Sequence, residues 1–140
     1  MLKAKTVKGK AKLINGRSVA DRWTPQLAKS GHIPIVRAFL QGYSKLKPHV
    51  THGEAMLIIH LMDFKWDSKA PWPGYKTLAK YMGVSVKQVR RLAQSLEGKK
   101  YLRRVLRQAT TNVYHLDQLF AALEKIQVPK HGKDKRPRSA

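Results

Sequence analysis

YKTLAKYMGVSVKQVRRLAQSLEGKKYLRR, residues 75–104, is the stretch on which the fold turns. Tyr75, Leu78, Ala79 and Met82 recur at i, i+3, i+4 and i+7, the apolar stripe of a short helix. Gly83 stands where a left-handed residue closes such a helix. Val84 is expected to fill the angle between two helices. Ser85 is expected to cap the second, with Ser85-Val86-Lys87-Gln88 as a capping box. Val86, Val89, Leu92, Ala93 and Leu96 then form an inner face, and Gly98 is predicted to close the helix. Two helices joined by so tight a turn are a helix-turn-helix pattern.

The outer face of the second helix has a different chemistry. Lys87, Arg91 and Gln94 lie opposite the Val89 and Leu96 side, flanked by Gln88, Arg90 and Ser95. No acidic side chain interrupts them before Glu97, whereas an ordinary solvated helix face mixes both charge signs. Arg can read guanine bidentately and Gln can read adenine in a groove wide enough for a helix. The pattern predicts a recognition helix over 85–97 in the major groove of double-stranded DNA, with Ser85, Lys87, Gln88, Arg90, Arg91 and Gln94 at the contact.

Tyr101 to Arg107 and Asn112 to Leu116 read as two strands with a short polar connection, although that connection lacks glycine. This hairpin, 101–116, is expected to lie on the DNA backbone or in the minor groove. Arg103 and Arg107 point to phosphate contact, with Thr110 and Thr111 at the tip. Strand alternation leaves Arg104 either outward with them or inward beside Leu102 and Leu106.

Before this core, Thr51-His52-Gly53-Glu54 is a second capping box, and a helix is predicted from about His52 to Trp66. Ala55, Ile58, Ile59, Met62 and Trp66 share one side, and Leu57, Leu61 and Phe64 widen the apolar arc. A helix so apolar needs cover on more than one flank, from a preceding segment or from a dimer partner. Asp117 is placed to cap a last helix with Leu116, Leu119, Phe120, Leu123 and Ile126 as its stripe.

These elements predict a mainly α fold with a small β-hairpin: a winged helix-turn-helix over 51–127 with an N-terminal extension over 23–50. Within that extension, Ile35 to Leu40 suits either a short helix or a strand. Residues 1–22 read as a flexible basic arm and 128–140 as a disordered basic tail, both suited to phosphate contact.

The stretches 51–79, 75–104 and 111–126 together resemble the winged helix-turn-helix domain of the family containing bacterial phage and plasmid replication initiators and related regulators. Gly74 replaces the polar cap usual before the first helix of the motif. The resemblance covers roughly residues 50–126. It implies that Lys87, Gln88, Arg90, Arg91 and Gln94 face the groove.

Composition narrows the function classes. The chain has 140 residues, with 29 Lys and Arg against 8 Asp and Glu, for a net charge of +21. Self-repulsion of that size favours an anionic partner. There is no Cys, which excludes disulfides and thiolate metal sites. No apolar run approaches a membrane span, and the basic N-terminus lacks the apolar region of a signal peptide. Of His49, His52, His60 and Asp63, His60 and Asp63 stand at i, i+3, but two ligands make a weak metal site, and no nucleotide loop or catalytic triad stands out. Trp23, Trp66 and Trp72 read as core or packing residues.

The reading is therefore a cytoplasmic, nucleoid-associated DNA-binding protein, not an enzyme, without cofactor or metal. A transcriptional regulator and an origin-binding factor of a mobile element both fit. So does a basic winged-helix subunit of a larger nucleoprotein complex, acting on RNA or protein. A homodimer and a larger assembly are both compatible with the apolar arc of helix 52–66.

Overall fold

The computed structural model describes residues 18–106 and 112–126, and the chain divides at Pro34 into two compact units. In the first unit, helix α1 (Val19–Arg22) is opened by Ser18, whose hydroxyl accepts from the Asp21 amide at 3.1 Å. The Asp21 carboxylate accepts from the Ser18 amide in return, at 3.2 Å. Residues 18–22, expected within the basic arm, are thus helical because of a local capping box. Helix α2 (Pro25–Ala28) follows, with Thr24 as its cap and Pro25 in its first turn.

The second unit begins at Ile35, inside the stretch expected to be an extension. Helix α3 (Arg37–Gly42) resolves the choice between helix and strand at Ile35 to Leu40. It buries Phe39 and packs on the last helix, α7 (Asp117–Glu124). Gly42 is buried at this contact, facing Leu123 and Ile126. Leu46 and Val50 join the same core, so 35–50 contributes to the fold of this unit.

Helix α4 (His52–Met62) starts where the sequence predicts. The Thr51 hydroxyl accepts from the Glu54 amide at 3.2 Å, and Glu54 accepts from the Thr51 amide at 2.9 Å. Ala55, Leu57, Ile58 and Leu61 are buried, while Met56 is exposed. The helix ends at Met62 rather than near Trp66. Phe64 and Lys65 donate to Leu61 and Met62, tightening the last turn, and Asp67 Oδ1 accepts from the Lys69 amide. Short polar side chains that bond the backbone locally favour such a turn over continued helix. Trp66 therefore leaves the apolar stripe and is 88% exposed. Trp23 and Trp72 are exposed too, so none of the three tryptophans is a core residue. Pro71 and Pro73, on either side of Trp72, are buried in its place.

Helices α5 (Tyr75–Met82) and α6 (Val86–Gly98) form the helix-turn-helix and pack on each other and on α4. Gly83 has φ 71° and ψ 32°, and its amide donates to the Ala79 carbonyl at 2.9 Å. Val84 does not fill the interhelical angle. It is exposed, and Met82 and Val86 on either side of the turn pack against the core. Ser85 caps α6 by accepting from the Gln88 amide at 3.0 Å, with no reciprocal bond from the Gln88 side chain.

Gly98 is the last helical residue, but the left-handed position belongs to Lys100, at φ 70°. Strands β1 (Arg103–Leu106) and β2 (Asn112–His115) pair antiparallel, with Arg104 opposite Tyr114. Tyr114 is fully buried, and its amide donates to the Pro71 carbonyl at 2.9 Å, tying the hairpin to the loop before α5. Helix α7 is capped by Leu116, with Asp117 one residue inside, where its charge still favours the helix start. Helices and one two-stranded hairpin in this order make a mainly α winged helix-turn-helix.

Candidate nucleic-acid interface

Helix α6 owes its two faces to its residue spacing. Val89, Ala93 and Leu96 are buried, with Val86 and Leu92 packed beside them. Ser85, Lys87, Gln88, Arg90, Arg91 and Gln94 are all exposed, so the structure gathers six expected contact residues on one helix. Arg103, on β1, is exposed as well. Arg107, Thr110 and Thr111 lie outside the described residues.

Two of the arginines differ in their surroundings. Arg90 is exposed, yet its guanidinium lies 5.5 Å from the centre of the Tyr75 ring. Arg104 turns inward, which settles the alternation. Its Nε donates to Glu97 Oε2 at 2.7 Å and its second terminal nitrogen to Glu97 Oε1 at 2.6 Å. The remaining terminal nitrogen donates to the Tyr75 hydroxyl. Glu97 holds the Arg104 pKa above the ordinary arginine value, against partial burial, with Tyr75 assisting. Arg104 thus bonds within the protein through all three guanidinium nitrogens, and its charge compensates Glu97, the one acid on α6.

Sequence reasoning assigned Tyr75 to an apolar stripe and did not find this cluster. Its members come from α5, α6 and β1, and no spacing rule joins them. The same holds for Glu54 and Lys99. The Lys99 Nζ donates to the buried Glu54 carboxylate at 2.7 Å and to the His49 carbonyl at 2.9 Å. Burial alone would raise the Glu54 pKa, but hydrogen bonds from Lys99, Ser95 and the Thr51 amide outweigh it and lower the value. This pair fastens the start of α4 to the end of α6. Tyr114, beneath the hairpin, has its hydroxyl pKa pushed up to about 12, chiefly by burial.

Next to α5, Phe64, Trp66, Trp72, Pro73 and Thr77 line an open concavity of about 560 Å³. Among the described residues no three His, Asp or Glu side chains cluster as metal ligands would. No helix among them is long and apolar enough to cross a membrane.

The arrangement presents an exposed basic helix face beside a hairpin that exposes Arg103. Residues 49–102 match a family model described as a helix-turn-helix domain, and this supports a helix-turn-helix family of DNA-binding proteins. No curated protein matches the chain.

Proposed function

We propose that this protein binds double-stranded DNA with α6 in the major groove and the hairpin on the backbone or minor groove. Lys87, Gln88, Arg91 and Gln94 face the base edges, Arg90 and Ser85 flank them, and Arg103 meets phosphate. Arg107, Thr110 and Thr111 extend the hairpin contact by their sequence position. The biological role is that of a transcriptional regulator or an origin-binding factor of a mobile element, as the likeness to phage and plasmid initiators suggests.

One observation carries the reading. The exposed face of α6 bears Lys87, Arg90 and Arg91 with the amides Gln88 and Gln94, and its lone acid is cancelled by Arg104. The positive field over the helix is therefore unbroken, while the amide and guanidinium groups suit base-edge readout. Selection of bound sequences from a random duplex pool at physiological salt tests it. A defined motif is expected. On that motif, Arg91→Ala should cost about 1–3 kcal/mol and relax preference at one position. An unenriched pool would defeat sequence-specific binding and leave an architectural role. Equal weakening on every duplex would show that Arg91 meets phosphate instead of a base.

A further inference from the structure

The hairpin carries adjacent arginines with opposite fates. Arg103 is exposed, whereas each of the three guanidinium nitrogens of Arg104 donates to a protein acceptor: two bonds to Glu97 on α6 and one to Tyr75 on α5. The Tyr75 ring also lies 5.5 Å from the Arg90 guanidinium and 6.0 Å from that of Arg104. A planar fork bound bidentately fixes direction as well as distance. Three elements thus meet at one guanidinium: the first helix of the motif, the end of the second and the first strand of the hairpin.

We propose that Tyr75, Glu97 and Arg104 form a clamp that sets the hairpin's position against the recognition helix, so that Arg104 is a positioning residue and Arg103 the contact residue. This rests on the DNA-binding reading for its functional consequence. Tyr114 ties the second strand to the loop before α5, and the Arg104 bonds are what tie the first strand to α6. The clamp holds Arg103 where it engages the duplex only when α6 is seated in register. Hairpin contact then adds to sequence preference instead of to general affinity. The clamp also retains Arg90 near the base of α6 through the shared tyrosine ring.

The test uses Arg104→Lys in the full chain, which keeps the net charge and one ionic contact but removes the fork. Affinity is measured on the selected site and on an unrelated duplex at equal salt. The ratio of the two should fall roughly tenfold, the size of losing one position's worth of discrimination, with the unrelated duplex bound as before. Tyr75→Phe, which removes only the hydroxyl acceptor, should shift the ratio in the same direction by less, and it guards against misfolding of the lysine variant. An unchanged ratio in both variants would overturn the clamp. Equal weakening on both duplexes would show that Arg104 itself meets phosphate, which also overturns it.

Amide exchange in the free protein separates failure of the clamp from failure of the DNA reading. Strands 103–106 and 112–115 should exchange faster in Arg104→Lys while helix 86–98 is unchanged. If the unmodified chain retains no duplex, the DNA reading fails, and this exchange decides the clamp by itself. Unchanged strand exchange would overturn it.

Discussion

Lys100 holds a left-handed backbone with φ 70°, a conformation that glycine adopts without cost. Its amide donates to the Glu97 carbonyl at 2.9 Å, and the Tyr101 amide reaches the Leu96 carbonyl at 3.0 Å. This pair of bonds closes α6 and turns the chain into the hairpin. A Cβ in this conformation costs about 1 kcal/mol. Lys100→Gly is therefore expected to stabilise the protein by about 1 kcal/mol, less some unfolded-state entropy, read as a higher urea midpoint at unchanged slope. A lower midpoint would mean that the Lys100 side chain makes a contact worth more than the strain. The sequence pointed to Gly98 as the terminator. The nearest glycine lies within the helix, and only the backbone path shows which residue takes the left-handed position.

At the scale of elements, the starts of α4 and α6 were the legible feature. Thr51, Ser85 and Glu54 act through bonds to residues three positions away, and such interactions can be read from a string of letters. The partner of Glu54 could not be read, because Lys99 is 45 residues distant. Their contact makes a pH prediction. Glu54 is held below its ordinary value of 4.5, so protonating it costs more in the folded state than in the unfolded chain. Its contribution is complete above that ordinary value and is lost as pH falls through the lowered one. Near neutrality Glu54→Gln should cost about 2 kcal/mol, below the usual figure for a broken buried pair because Lys99 is partly solvated. Denaturant titrations of both proteins should converge as pH falls below 4.5. A gap that stays constant across that range would show that the loss comes from packing and not from the charge. Another element boundary that sequence missed, the end of α4, has a local cause. Asp67 and Lys65 bond to the loop backbone, and these bonds compete with continuation of the apolar stripe to Trp66.

At the scale of the whole molecule, the net charge of +21 is spread over the domain and over both chain ends. Lys3, Lys5, Lys8, Lys10, Lys12 and Arg17 precede the described residues, and Lys130, Lys133, Lys135, Arg136 and Arg138 follow them. Each cation that neutralises a phosphate steepens the dependence of log affinity on log salt by about 0.9. Deleting 1–17 should therefore make the salt slope shallower and weaken binding to all duplexes alike, while the preferred sequence stays the same. Fluorescence anisotropy across a salt series measures both quantities. An unchanged slope would show that the N-terminal cations serve some purpose other than phosphate contact.

Residue types at fixed spacing were enough for the helix-turn-helix itself: the turn from Met82 to Ser85, the buried side of α6 and the exposed face around Lys87, Arg91 and Gln94. Helical periodicity, caps and tight turns are set by neighbours within a few positions, so they are encoded locally. The division of labour between Arg103 and Arg104 was decided only in three dimensions. So were the pairing of Glu54 with Lys99 and the exposure of Trp66. In each case the outcome depends on which elements pack together. Tyr75, Glu97 and Arg104 meet because α5, α6 and the hairpin converge, and a side chain's charge is free or engaged according to what that convergence brings within hydrogen-bond reach.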